Sequence, residues 1–233
     1  MKILILEPFF TGSHKKWTNE FQFHSKHEIE ILSLPGRFWK WRMHGGAITL
    51  HKYYEKLNFK PDLIIASDML NLPIFKSLMK SSIPIILYFH ENQFTYPWSK
   101  NDPDVELQRD KHYGFINYSS ALIADKVLFN SQFHLNSFFH GMKKFLTQFP
   151  DYKGMENIKL INSKSHVLHL GLDLKKFKIN NIEYEKSTHP TLLWNHRWEY
   201  DKNPESFFQL LFRLQDDGIP FELVILGESF VST

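Results

Sequence analysis

Two cations, Arg197 and Lys202, stand close together in LLWNHRWEYDKNPESFFQLL, residues 192–211, between an apolar run and a capped helix. Asn203 suits an N-cap, Pro204 the first helical position and Glu205 the positive end of the helix. Phe207, Phe208, Leu210, Leu211 and Leu214 supply an apolar face, and Gly218 can end the helix. Arg197 and Lys202 therefore belong to a strand-to-helix loop beside unsatisfied backbone N–H groups, which is where anions bind. Arg offers a bidentate fork and Lys a point charge. On spacing alone, two solvated loop cations are an equal alternative.

Other residues carry chemistry elsewhere. His90 follows the apolar run PIILYF, at the carboxyl end of an expected strand, where open α/β sheets build their sites. Glu91, Asn92 and Gln93 add hydrogen-bonding capacity beside it. Gly12 permits close backbone approach to a ligand, and Ser13 and His14 open the next helix, with Ser13 equally suited to capping it. GRFWKWRMHGG, residues 36–46, interleaves Arg37, Lys40 and Arg42 with Trp39 and Trp41. Such cations hold phosphates while indoles stack on unpaired bases; the alternative is one core Trp with cations on the surface. His24/His27 and His166/His169 share a spacing, but no HExxH or Cys partner accompanies them, so no zinc site is expected. Asp102 and Asp104, in NDPD, read as a turn.

These residues need elements to position them. The runs at 2–7, 28–34, 62–67, 84–90, 126–130 and 166–170 read as strands, several of them continuously apolar as in a covered parallel sheet. Helices are expected near 14–26, 46–58, 70–81, 107–123 and 132–147. This alternation predicts an α/β fold with a Rossmann-like parallel sheet. Residues 1–177 form the first domain, 178–190 a linker, and 191–233 the start of a second, with strand 191–195, helix 204–217 and strand 221–226. One βαβ unit cannot close its own core, because parallel strands need neighbours on both sides.

The 233 residues are 42% hydrophobic with a net charge of +3, enough for a real core and only mildly basic. Cysteine is absent, which excludes disulfides and thiolate chemistry. The opening apolar run is short and meets Glu7 and Pro8, as a first buried strand would, rather than an export signal. No run reaches the length of a membrane span, and a cytoplasmic location is expected.

NHRWEYDKNPESFFQLL resembles the segment that opens the second domain of retaining GT-B glycosyltransferases of the family 4 type. EPFFTGSHKKW (7–17), YFHENQFTYP (88–97), ADKVLFNSQFHLNSF (124–138) and VLHLGLDLKKF (167–177) resemble further segments of that family, in the same order. The resemblance implies that Arg197 and Lys202 hold the diphosphate of a nucleotide-sugar donor, with Gly12 and Ser13 on the donor side. It places His90 toward the acceptor, where it could polarise the acceptor hydroxyl or contact the donor sugar, and asks for no metal or other cofactor. With RFWKWRMHGG included, the chain is similar to the tRNA-queuosine mannosyltransferase group, which moves mannose from GDP-mannose to queuosine in a tRNA anticodon. That likeness implies tRNA and a nucleotide sugar as partners, with Arg37, Trp39, Lys40, Trp41, Arg42, His90, Glu91, Asn92 and Gln93 on the acceptor side. The family's E-x7-E segment lies beyond these motifs, so catalysis is expected to need more than this stretch. The alternatives are a non-catalytic tRNA-binding module, an inactive fragment, or a transferase acting on a lipid or polysaccharide.

Overall fold

The computed structural model describes residues 1–99, 102–107, 109–174 and 187–227, which fall into two compact units. Met1–Tyr96 and Asp104–Leu172 make the first, Pro97–Pro103 and Asp173–Thr233 the second. The first unit thus ends near the expected boundary at 177, which itself lies outside the described residues, as does the expected linker apart from 187–190.

Six strands build the first unit: β1 (Lys2–Phe10), β2 (Glu28–Pro35), β3 (Leu63–Ser67), β4 (Ile85–Phe89), β5 (Lys126–Phe129) and β6 (Ser165–Val167). They lie in the order β2-β1-β3-β4-β5-β6, parallel at every step. Apolar residues on both faces of β1 explain its continuous hydrophobicity. Leu4 and Leu6 enter the larger core with Phe89, Phe129, Phe138 and Met142. Ile3 and Ile5 turn the other way, toward Ile29, Ile65 and Tyr88, under Trp17 and Phe21 of α1 (Gly12–His24).

The larger core is covered by α2 (Trp39–Tyr54), α3 (Leu72–Leu78), α5 (Lys111–Ile123), α6 (Gln132–Leu146) and α7 (Glu156–Ser163), while α4 (Pro103–Glu106) is a single turn. From β2 the chain crosses back over β1 to reach β3, so the winding direction reverses between β1 and β3. Open α/β sheets bind ligands at the carboxyl ends of strands at such a reversal.

Two helices depart from expectation. α2 begins at Trp39 rather than near 46, because Phe38 adopts a left-handed backbone (φ 56°) that turns the chain directly into the helix. The RFWKWR segment therefore runs into a helix instead of preceding one. α7 was not expected: ENIKLINS is only eight residues long, too short a run for its apolar spacing to announce a helix. The 103–106 turn accords with the reading of NDPD.

The second unit pairs β7 (Thr191–Asn195) in parallel with β8 (Glu222–Leu226), joined through α8 (Pro204–Asp216). Trp194 and Leu211 are buried, but Leu193, Leu223, Val224, Ile225 and Leu226 are exposed.

Phe94 is seated between two helices at glycines. A Cβ at Gly114 would lie 2.7 Å from the Phe94 ring, and one at Gly141 would lie 2.6 Å from Phe94 Cβ. Gly141→Ala should overpack this contact and lower stability by about 1–3 kcal/mol, read as the urea midpoint. A wild-type midpoint would mean that Phe94 shifts freely.

Candidate functional site

The carboxyl ends of β1, β3, β4 and β5 bring together groups far apart in sequence. Glu7, near the end of β1, is fully buried, and β1's pairing with β2 shifts register between Glu7 and Phe10. Such irregularities re-aim side chains beside functional sites. One Glu7 oxygen accepts the Phe9 N–H at 2.9 Å, and the other lies 3.0 Å from His14 Nδ1. His14 sits in the first turn of α1, just after Gly12, whose left-handed backbone (φ +50°) makes the turn from strand to helix. The Gly12 Cα faces open space and Ser13 is exposed, so both lie at the rim.

The His14 ring stands 4.2 Å from that of His90, centroid to centroid. His90 leaves β4 with its backbone fixed at both ends: its N–H donates to Asp68 Oδ1 at 2.8 Å, and its carbonyl accepts from Asn130 Nδ2 at 2.8 Å. Trp17 meets the His90 ring edge-on at 4.9 Å and stacks on Tyr88 at 4.5 Å. His134, in the first turn of α6, places Nδ1 3.0 Å from Asn130 Oδ1.

Burial and charge set these groups apart. Burial opposes a charge on His14, but the Glu7 hydrogen bond and carboxylate, with Asp68 and Glu91 behind them, outweigh it and raise its pKa to about 9. Burial, reinforced by His14 and His134, pushes His90 down to about 2. Burial alone lowers His134 to about 4. Asp68, wholly enclosed, is shifted upward by burial, against the pull of His14. Titratable groups driven apart in this way mark functional sites.

Four buried side-chain atoms have no hydrogen-bond partner among the described residues: Ser67 Oγ, Asp68 Oδ2, His90 Nε2 and His134 Nε2. They belong to the carboxyl ends of β3 and β4 and to the start of α6. Buried polar atoms are nearly always paired, so this concentration points to a site for polar ligand or water.

Glu7, His14 and His90 each bring a ligand-capable atom within 4.8 Å of the others. By spacing they could surround a cation, but His14 Nδ1 is engaged by Glu7, whose carboxylate favours the protonated ring. The trio is organised as an ion pair beside a neutral histidine.

The structure sorts the residues expected from sequence. Glu91 is partly buried and accepts from Gln93 Nε2 at 3.2 Å. Asn92 is turned to structural use, its Oδ1 accepting from the backbone of Phe94 and Thr95 and from Thr95 Oγ1. Gln93 is buried, and its N–H donates to Asn117 Oδ1. On α2, Trp39 packs 4.9 Å from Tyr113, and Lys40 pairs with Asp104 at 2.6 Å. Arg42 Nε donates to the Pro35 carbonyl at 3.1 Å. Trp41, at 64% exposed, and Arg37 remain outward. Glu7, His14, Asp68 and His134 were not singled out as site residues. A carboxylate inside a buried apolar run was the one available signal.

In the second unit, Arg197 is exposed in the loop after β7, and Lys202 pairs with Asp201 at 2.8 Å in a 3-10 turn, Tyr200–Lys202. Beneath that loop, Trp194 Nε1 donates to the His196 carbonyl and its ring packs against Trp198 and Phe207. A Cβ on Gly227 would collide with the His196 carbonyl, so β8 must leave past this loop through a glycine. Pro204 occupies the start of α8 as expected. Asn203 does not cap it by side chain: its backbone is left-handed (φ 52°), and its Oδ1 accepts from Ser206 Oγ instead.

The buried histidines also set how stability follows pH. His90 and His134, neutral in the fold, weaken it as pH falls below 6.5, where the unfolded chain gains their protons. His14 acts oppositely: its contribution is full below 6.5 and is lost as pH rises through about 9. Asp68, raised, also favours lower pH, one carboxyl against two histidines on the acid side. Urea midpoints from pH 5 to 9 should therefore peak near 6.5, and a monotonic rise would contradict this balance.

Comparison with known proteins gives three findings. A family model described as tRNA-queuosine alpha-mannosyltransferase N-terminal matches residues 2–172. A Drosophila melanogaster protein named tRNA-queuosine alpha-mannosyltransferase is 35% identical over 241 residues, covering 98% of this chain and 62% of its own length. The chain thus spans less than two thirds of that relative. The crystal structure of Arabidopsis thaliana UGT89C1 complexed with UDP-L-rhamnose aligns with 99% of this chain and 69% of its own, at 12% identity and a TM-score of 0.47, too loose a likeness to carry weight.

Proposed function

The chain belongs to the tRNA-queuosine alpha-mannosyltransferase N-terminal family, and on that premise we propose that it forms the acceptor-side part of a retaining GT-B glycosyltransferase. The reaction is transfer of mannose from GDP-mannose to queuosine in a tRNA anticodon. The observation that carries this proposal is the Glu7–His14–His90 group at the winding reversal, with the buried His90 Nε2 unpaired among the described residues.

His90 faces the acceptor hydroxyl. A histidine lowered to about 2 is a poor base at neutral pH but a sound hydrogen-bonding group, so it orients the hydroxyl rather than stripping it. Glu91, at the same strand end, supplies an acceptor beside it. Gly12 and Ser13, at the rim of the first strand's loop, fit an approach by donor oxygens.

Breaking the sugar–diphosphate bond leaves negative charge on the diphosphate and positive charge on the ring. Arg197 and Lys202 stabilise the leaving diphosphate as that charge develops, without a metal or other cofactor. Asp201 holds the Lys202 ammonium in place in the meantime. Among the described residues no helix is long and apolar enough to cross a membrane. Trp41 and Arg37, exposed at the start of α2, meet the anticodon loop by stacking and phosphate contact.

Two measurements test this on the complete gene product. Turnover of GDP-mannose with queuosine-containing tRNA should fall on Arg197→Ala by about 2–4 kcal/mol of transition-state stabilisation. Undiminished kcat/KM would remove Arg197 from the reaction, and tRNA binding without turnover would favour a binding module. Trp41→Ala should cost about 1–3 kcal/mol of tRNA affinity, and Arg37→Ala should flatten its salt dependence. Trp39→Ala should instead lower stability, because that ring packs on Tyr113.

A further inference from the structure

We propose that the Glu7–His14 pair is a positioning element for His90: a fixed imidazolium, lodged against the His90 ring, that keeps His90 an uncharged imidazole. The proposal rests on the reading of His90 as the group that meets the acceptor.

The argument begins with Glu7. A carboxylate with no exposure must be compensated or lose its charge. Its oxygens are already taken, one by the Phe9 N–H and one by His14 Nδ1 at 3.0 Å. His14 is the only cation-capable group hydrogen-bonded to it among the described residues, so the proton belongs on His14. The ring that carries it is buried and stands 4.2 Å from the partly buried His90 ring. A second positive charge there would meet the first at short range in a poorly screened setting.

The groups facing His90 from every packed element support the same outcome. From β1 comes Glu7, already committed to His14. From α1 come His14 and the neutral Trp17. After β3 comes Asp68, which accepts the His90 N–H through Oδ1 and which burial drives toward its neutral form. β4 contributes the phenol of Tyr88, 5.0 Å away, and the next residue is Glu91, partly exposed and engaged by Gln93. α6 contributes His134, whose charge also disfavours one on His90. The cationic influences thus outweigh the carboxylates. Burial is the largest cause that lowers His90, and the charges of His14 and His134 add to it, while the Glu7 hydrogen bond and carboxylate raise His14.

An uncharged imidazole can both donate and accept, so Nε2 stays able to bond a neutral hydroxyl at any pH down to the acid limit of the fold. An imidazolium could only donate. The pair therefore fixes the hydrogen-bonding character of His90 without touching the acceptor itself.

Histidine ring NMR across a pH titration of the chain tests this without requiring turnover. In the wild type, His14 should remain an imidazolium above pH 8 and His90 should stay neutral below pH 5. In His14→Gln, the His90 midpoint should rise at least about tenfold in proton affinity toward the ordinary value near 6.5. A wild-type His90 that titrates near 6.5, or a His14 already neutral at pH 7, would overturn the proposal even if no variant folds. With the complete gene product, the His14→Gln transferase should acquire an acid limb near pH 6.5, with kcat recovering above it. Loss of activity at all pH values with an unmoved His90 midpoint would also overturn it. Absent mannosyl transfer by the wild type, with the ring titrations as stated, would instead refute the proposed function.

Discussion

A carboxylate wholly enclosed near the carboxyl end of an interior strand needs a cation, and that need organises this molecule. Glu7 interrupts an otherwise apolar strand, and its burial is tolerable because α1 turns out of the same strand and brings His14 back over it. Gly12 makes that turn, and the shift of register at Glu7 aims the carboxylate. With this pair in place, β4 can deliver His90 beside it, β3 can deliver Asp68 beneath the His90 backbone, and α6 can close the far side with His134. Each of these would be a costly burial alone. Together they form a cluster in which one charge is satisfied and the others are suppressed.

Much of the scaffold was legible in the sequence because it depends on short-range pattern. Continuous apolar runs located the strands to within a few residues, since a parallel strand covered on both faces leaves little choice of residue type. His90 was legible for the same reason, standing where such a run stops. Glu7, His14, Asp68 and His134 were not, because only the order of strands makes them neighbours, and that order is not a local property. RFWKWR distributes its side chains in a way its sequence did not show. Its alternation of cations and indoles suggested one interface, but on a helix those side chains radiate. Trp39 and Lys40 went to Tyr113 and Asp104, Arg42 to a strand-end carbonyl, and Trp41 and Arg37 to solvent. Asn203 carried a capping residue's identity but a left-handed backbone, so its side chain went elsewhere.

The second unit builds its loop by another route. No buried charge is involved. Trp194 fills the space below and bonds the His196 carbonyl, Trp198 and Phe207 pack around it, and the glycine at 227 lets the next strand leave past that carbonyl. Arg197 is thereby presented on a loop stiffened by aromatic packing, and Lys202 on a short turn closed by its own neighbour Asp201.

The seating of Phe94 between Gly114 and Gly141 has a consequence for how ligands are chosen. The segment after His90 is pinned by the Asn92 turn, by the Gln93 N–H on Asn117, and by a ring wedged where two helices carry no side chain. Its conformational entropy is surrendered during folding, before any ligand arrives. Such a segment acts as a template rather than a glove: a ligand must match its shape, because nothing moves to meet it. Among relatives that keep both glycines and the ring, a change of ligand would have to come from the side chains the segment displays and not from a different path of its backbone.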